Sequence, residues 1–279
     1  MIPRSSVRRG FADTPMGQVH YREAGAGKGP VLVMLHASPG SSKQLETVML
    51  ALASNRRVIA PDTPGNGDTP PLPDGPPTIY TLAAALLDFL DAMGLYQVDL
   101  YGSHTGADIA AEVAVSTPHR VRRLIQDGAG IFSADESAEF LEHYAHPFPP
   151  DLEGAYLQRA FTFCRDQFFF FPWYARDRAH RRDGGFTSAE KLHEWVLEVL
   201  KASTTYHHNY RAAFAYPSAE RLKLVTVPTL AVATENDPLG PATEAIVPEM
   251  QDAIYRGLPP ADLPTYLPAF VSSIDEFLS

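Results

Sequence analysis

The feature that most restricts the fold of this chain is a repeated alternation of short apolar runs and helical stretches. The runs lack polar–apolar alternation, as expected of strands that helices cover on both faces. Strand-then-helix repetition builds a parallel sheet, and an alternating segment at residues 18–21 suits an antiparallel edge hairpin. We therefore predict an α/β fold with a mostly parallel, doubly wound sheet. The runs occupy residues 31–35, 58–60, 98–101, 124–125 and 230–233.

The alternation of strands and helices is interrupted at residues 133–217. This segment has the pattern of helices and loops and is rich in aromatic side chains. We predict that they form a helical cap inserted after the sixth strand, and that residues 1–132 and 218–279 form the core. Four consecutive phenylalanines, beginning at Phe168, would face all directions on a helix. Either they only join cap to core, or they line an apolar substrate cavity together with Trp173. His207, on the last helix of the cap, faces either water or that cavity.

Composition excludes several classes of protein. The 279 residues are 45% hydrophobic and 20% charged, which indicates a globular chain. A net charge of -10 repels nucleic-acid phosphates and anionic membrane surfaces, so we expect neither as a partner. Cys164 is the one cysteine, and the sequence has neither a leader nor a run of eighteen apolar residues, so we expect a cytoplasmic protein. A homodimer remains open.

One short segment has the pattern of a catalytic turn. The run that ends at Tyr101 is followed by Gly102-Ser103-His104-Thr105-Gly106 and then directly by a helical stretch. Small residues on both sides permit the strained bend called a nucleophile elbow, because a Cβ there would clash. The bend lifts the central side chain above the sheet. We therefore predict a catalytic role for His104, with Ser103 as the alternative nucleophile.

With its neighbouring motifs, this segment resembles the α/β-hydrolase family over nearly the whole chain. The resemblance implies a hydrolase whose oxyanion hole is formed by the N–H groups of Ala37 and Thr105, flanked by His36 and Ser38. The matching segments are residues 31–40, similar to the strand and oxyanion loop, 60–67, similar to a Pro-Asp-x-Pro-Gly-x-Gly element, 120–128, similar to the sixth strand, and 228–238, similar to the seventh strand and acid loop.

The sequence departs from this family pattern at two catalytic positions. Hydrolases of this fold carry serine, aspartate or cysteine where this chain has His104. They also place a histidine before the last helix, but no histidine follows His208, and Leu258 stands in that region. Two acids remain, Asp237 at the usual position and Asp127 at the alternative one. We expect Asp127 to orient His104 in a dyad that makes the imidazole a general base.

Three functions fit these observations. The first is a hydrolase acting on a small apolar ester, lactone or carbon–carbon bond through His104. The second is a non-hydrolytic enzyme of the same fold, a lyase or a cofactor-free oxygenase, and the third is a catalytically silent protein that binds a small apolar molecule. The sequence shows no metal motif, phosphate loop or dinucleotide fingerprint, so we expect no metal and no cofactor.

Overall fold

An eight-stranded sheet forms the centre of the molecule. The computed structural model describes residues 6–184 and 188–279; residues 1–5 of the predicted core and 185–187 of the predicted cap lie outside the described residues. The strands are β1 (Arg8–Thr14), β2 (Gly17–Ala24), β3 (Leu32–Leu35), β4 (Val58–Pro61), β5 (Val98–Ser103), β6 (Val121–Asp127), β7 (Thr229–Thr234) and β8 (Ala253–Leu258), in the order β1-β2-β4-β3-β5-β6-β7-β8.

The sheet is parallel except at the edge that carries the first hairpin. β2 pairs antiparallel with β1 and with β4, whereas the pairs from β4 through β3 to β8 are parallel. Every residue of β3 and β4 is buried, as their continuous apolar sequence predicts. The predicted edge hairpin and the mostly parallel α/β sheet are confirmed.

Helices cover both faces of this sheet. Leu86 and Ile109 belong to the core on one face, and Met49 and Phe270 to the core on the other. None of the described helices is long and apolar enough to span a membrane. The helices are α1 (Glu46–Leu52), α2 (Ile79–Ala92), α3 (Thr105–Ser116), α4 (Ala134–His143), α5 (Ala155–Asp166), α6 (Ala189–Lys201), α7 (Tyr206–Phe214), α8 (Ser218–Leu222), α9 (Gly240–Ile246) and α10 (Tyr266–Leu278).

Helices α4 to α7 form an insertion after the sixth strand, as predicted. Their side chains share an aromatic core that includes Phe163 and Tyr206. The expectation that Phe168 and the three following phenylalanines lie on a helix is wrong, because α5 ends at Asp166 and the chain then turns. Pro172 explains this only for Phe171, since the residue before a proline disfavours helical backbone.

Candidate active site

His104 occupies the apex of a sharp turn between β5 and α3. Its backbone has φ 49° and ψ -114°, and it is the one non-glycine residue with positive φ in the described part of the chain. Such strain persists only where the surroundings hold it. A Cβ on Gly102 would collide with the carbonyl group of Gly106, and a Cβ on Gly106 would lie 2.6 Å from the carbonyl oxygen of Leu35. The two glycines therefore permit the elbow.

The imidazole of His104 pairs with the carboxylate of Asp237, which lies in the loop after β7. Nε2 of His104 is 2.9 Å from Oδ2 of Asp237, and Oδ1 of Asp237 accepts the N–H of Leu239 at 2.8 Å. Because the carboxylate accepts at Nε2, we assign the ring proton to Nε2 when the ring is neutral. Nδ1 is then the basic atom of the ring.

The expected partner of His104, Asp127, is instead hydrogen bonded to the hydroxyl group of Tyr101. Alternate residues of a strand share a face, so Asp127 lies on the same face as Ile125, which belongs to the same core as Tyr101. Its backbone carbonyl does accept the N–H of His104 at 2.9 Å. Asp127 therefore anchors the elbow backbone, and the His104–Asp127 dyad predicted from the sequence is wrong.

Burial and charge act in opposite directions on the two groups of the pair. Burial raises the pKa of the Asp237 carboxyl, but the charge of His104 and its hydrogen bond bring the net pKa below its ordinary value. Burial lowers the pKa of His104, but the charge and hydrogen bond of Asp237 bring it above its ordinary value. Asp237 is thus ionised beside an imidazole whose pKa it raises, which is the arrangement of a general base.

The oxyanion loop after β3 is held from behind by His36. Nδ1 of His36 donates to the carbonyl of Ala37 at 2.9 Å, and Nε2 accepts the N–H of Thr63 at 3.0 Å. Burial lowers the pKa of His36, which suits a neutral ring that donates once and accepts once. His36 therefore fixes the loop that carries Ala37. Thr105 is the first residue of α3, so its N–H has no hydrogen-bond partner within that helix.

A cavity of about 220 Å³ opens in front of His104. The elbow and the oxyanion loop form one wall through Ala37, Ser38, Ser103, His104 and Thr105. The insertion supplies most of the aromatic wall. The aromatic side chains of the cavity are Phe132, Tyr144, Phe171, Trp195, Tyr210 and Phe214, and its polar side chains from other elements include Gln44, Asp108, Gln167 and Arg182.

Three cap residues predicted to contact substrate do not line this cavity. The ring of Phe168 contacts the outer side of Trp195, with centroids 5.1 Å apart. Nε1 of Trp173 donates to the carbonyl of Tyr144 at 2.8 Å. His207 lies against His208 on another surface of the insertion. Phe168 and Trp173 thus support the lining from one layer behind it.

Sequence reasoning missed Arg182, the cationic side chain of the cavity. Its guanidinium group donates to the carbonyls of Gln167 at 2.8 Å and Asn236 at 3.3 Å. No carboxylate within the described residues forms an ion pair with it. In the sequence, Arg182 is one charge in a run between residues 176 and 183, and nothing in that run distinguishes it from the solvated neighbours.

One cluster of described residues has atoms close enough to hold a metal ion: His20, Asp62 and Asp68. The carboxylate of Asp62 already accepts from Nδ1 of His20, the backbone N–H of Asp68, and both the N–H and the hydroxyl of Ser42. Those donors hold the pKa of Asp62 well below its ordinary value although burial acts to raise it. This carboxylate therefore joins three segments of the fold and is already saturated by protein donors.

Gly128 lies close to the His104–Asp237 pair, so a substitution there tests whether activity depends on the geometry of that pair. Gly128 has φ 69°, and a Cβ there would lie 2.7 Å from Nε2 of His104 and 3.0 Å from Oδ2 of Asp237. We expect Gly128→Ala to lower kcat/KM at least about tenfold, because the clash separates the imidazole from its carboxylate.

Gly94→Ala is the matched control for this substitution. Gly94 has nearly the same φ, 67°, but nothing lies within 4 Å of its added Cβ. Both variants should lose about 1–2 kcal/mol of unfolding free energy in denaturant titrations from the left-handed backbone alone. Equal activities in the two variants would contradict a catalytic role for the pair.

Comparisons with known proteins agree with this fold. A family model described as alpha/beta hydrolase fold matches residues 30–249. The enol-lactonase from Burkholderia xenovorans has a similar structure, with a TM-score of 0.71 and 17% identity over 96% of this chain and 99% of that one. That likeness shows a shared fold.

Two curated relatives are named as hydrolases of an oxo-dienoate or of oxo-dienedioates and oxo-trienedioates. A 2-hydroxy-6-oxononadienedioate/2-hydroxy-6-oxononatrienedioate hydrolase of Pseudomonas putida is 29% identical over 247 residues, covering 83% of this chain and 78% of that protein. A 2-hydroxy-6-oxo-2,4-heptadienoate hydrolase of Pseudomonas putida is 37% identical over 114 residues. That alignment covers 40% of this chain and 41% of the relative, so the chain spans about two-fifths of the relative's length.

Proposed function

Because this chain belongs to the α/β-hydrolase fold family, we propose that it hydrolyses a small, mainly apolar ester, lactone or ketone carbon–carbon bond with His104 as general base. The observation that carries the proposal is the 2.9 Å pair of His104 and Asp237 at the apex of the elbow. The same side chain lines the cavity beside Ala37 and Thr105. In the proposed substrate complex, a base, its orienting carboxylate and two oxyanion donors surround one carbonyl group.

The proposed reaction uses only water and the groups of the chain. Nδ1 of His104 removes a proton from water as the water oxygen attacks the carbonyl carbon. The negative charge that develops on the carbonyl oxygen is stabilised by the N–H groups of Ala37 and Thr105. When the tetrahedral intermediate collapses, the imidazolium returns the proton to the leaving alkoxide or carbanion. Asp237 stabilises the imidazolium throughout.

The choice of substrates to test follows from the cavity wall and from the relatives. The aromatic lining favours an apolar body. The relatives named as oxo-dienoate hydrolases and the enol-lactonase neighbour motivate one oxo-dienoate and several lactones in the panel. Among the described residues Arg182 donates to carbonyl groups and forms no ion pair, so it gives a single carboxylate on such a substrate a counter-charge.

We expect uncharged aromatic and alicyclic esters and lactones to be turned over at least about tenfold better than short dicarboxylates, because transfer of a second charge into this lining is costly. Steady-state kcat/KM on the panel measures this. Equal turnover of the two groups would mean that the aromatic residues only pack the insertion against the sheet, and no turnover of any member would favour a silent binding protein.

A second candidate rests on the absence of a serine at the elbow apex. A base with oxyanion donors also suffices to remove a proton from carbon, as in a lyase or a cofactor-free oxygenase. Turnover in water labelled with ¹⁸O separates the two. Hydrolysis places one labelled oxygen in the product acid, whereas a lyase places none and an oxygenase consumes dioxygen.

A further inference from the structure

Asp108 is a buried carboxyl group of the cavity for which the proposed mechanism has no use. It lies in the first turn of α3, four residues after His104 in the sequence. The residue is 3% exposed and lines the cavity. Its Oδ1 accepts the hydroxyl of Ser218 at 2.7 Å, and its Oδ2 lies on the side of Gly130, another cavity residue.

The surroundings of Asp108 keep it protonated near neutral pH. Burial raises its pKa to about 8, although the Ser218 hydrogen bond and the charge of His104 act in the opposite direction. No cation forms an ion pair with it in the described part of the chain. A protonated carboxyl is a hydrogen-bond donor, and no described residue accepts a hydrogen bond from Asp108.

Two other polar atoms in the cavity wall indicate that the cavity also binds a polar group of a ligand. The hydroxyl of Ser38 and Nε1 of Trp195 are buried in its walls and have no hydrogen-bond partner among the described residues. Buried polar groups are nearly always paired, and a pair left unmade is costly. The wall therefore has unpaired hydrogen-bonding groups in addition to the oxyanion donors.

We propose that Asp108 is a binding residue that donates a hydrogen bond from its carboxylic acid to a second acceptor oxygen of the substrate. This proposal rests on the proposed function for the position of the first oxygen, which is the carbonyl held by Ala37 and Thr105. The substrate class is then a compact, mainly apolar compound with two oxygen acceptors, one at the oxyanion donors and one at the part of the cavity wall that carries Asp108. Diketones, keto esters and keto lactones have this character.

Unreactive probes test the proposal without requiring turnover. Cyclohexane-1,4-dione carries two opposed carbonyl oxygens, and 4-methylenecyclohexanone replaces one of them with a methylene group of similar shape. The ratio of their dissociation constants, measured calorimetrically, gives the contribution of the second carbonyl oxygen to binding. At pH 6.5 we expect Asp108→Leu to lower the preference for the dione about fivefold, as for loss of a neutral hydrogen bond.

Asp108→Asn is the matched variant, and it also guards against misfolding of the leucine variant. The Ser218 hydroxyl donates to the oxygen of Asp108 and would hold the asparagine oxygen in the same place, so the amide N–H would point into the cavity. The asparagine variant should keep the preference. Thermal melts by circular dichroism establish that each variant is folded.

The pH dependence of the dione preference shows whether Asp108 acts as a hydrogen-bond donor or only fills space in the cavity. The wild-type preference for the dione should fall as the pH rises through about 8, where Asp108 loses its proton. The asparagine variant should show no such fall. His104 and Arg182 also face the cavity, but both remain in the asparagine variant, and burial raises the pKa of Tyr144, Tyr210 and Tyr216 far enough to keep them neutral.

The outcomes distinguish this inference from the proposed function. An unchanged dione preference in Asp108→Leu, or an identical pH dependence in wild type and Asp108→Asn, would overturn the inference and leave the hydrolase proposal intact. If His104→Ala keeps full activity while the Asp108 ratios follow expectation, the hydrolytic mechanism fails and the binding role of Asp108 stands.

Discussion

Replacement of His104 by alanine is expected to lower kcat/KM by a factor of about 10²–10⁴, which is the usual contribution of a positioned general base. The loss should appear mainly in kcat, because the imidazole acts on the transferring proton. The side chain is 38% exposed and faces the cavity, so the fold should survive its removal. Activity on the ester and lactone panel, with a thermal melt for each protein, measures both effects.

Ser103→Ala is the control for this variant. Ser103 is the last residue of β5 and also lines the cavity, but it lies one position before the apex. We expect its removal to change the rate far less than the removal of His104. Activity of His104→Ala within threefold of wild type, or a larger loss in Ser103→Ala, would refute His104 as the base.

Replacement of Asp237 by asparagine should lower the rate by a factor of about 10² and move the acid limb of the pH–rate profile to lower pH. The direction of this shift follows from the negative charge of Asp237. Ionised Asp237 favours the imidazolium form of His104 and raises its pKa, so a neutral amide lets the pKa fall. The remaining imidazole then loses its proton at lower pH, but it is a weaker and less well oriented base.

Asp127→Asn provides the contrast, because it removes the other acid near the elbow. Asp127 contacts Tyr101 through its side chain and His104 only through its backbone carbonyl. Its charge adds less than that of Asp237 to the rise in the pKa of His104. A smaller rate loss and a smaller shift of the acid limb are expected. A crippled Asp127→Asn beside a mild Asp237→Asn would reverse the assignment of the dyad.

The elbow was predictable from the sequence because its requirement is local. Gly102 and Gly106 must lack a Cβ whatever the rest of the chain does, and the strand and helix beside them follow from short-range patterns. The partner of His104 was not predictable in the same way. Asp127 and Asp237 both follow strands, and the choice between them depends on which way each side chain points once Tyr101 is in place.

The apolar character of the cavity wall was predictable from the sequence, but the identity of the residues that form it was not. The aromatic content of the insertion indicated an apolar lining, but Phe168 and Trp173 lie one layer behind it, whereas Trp195 and Phe171 form it. Proximity along the chain carries no information about which layer a ring joins. Arg182 enters through tertiary packing alone, which no periodicity records.

The structure also gives a physical reason for the missing late histidine. Leu258 ends β8 as a buried core residue, and the segment between β8 and α10 contains no histidine. Asp237 nevertheless has an imidazole partner, since His104 reaches it from the elbow. One histidine thus occupies the apex and also pairs with the acid, two roles that the family pattern divides between a nucleophile and a base.

A pH titration of the imidazole ¹⁵N resonances, in wild type and in Asp237→Asn, tests the His104–Asp237 base most directly. The resonances of His104 are assigned by their absence from His104→Ala. We expect a neutral ring protonated at Nε2 with a pKa above about 6.5 in wild type, and a lower pKa in Asp237→Asn. A wild-type pKa at or below that value that does not change in Asp237→Asn would contradict this expectation.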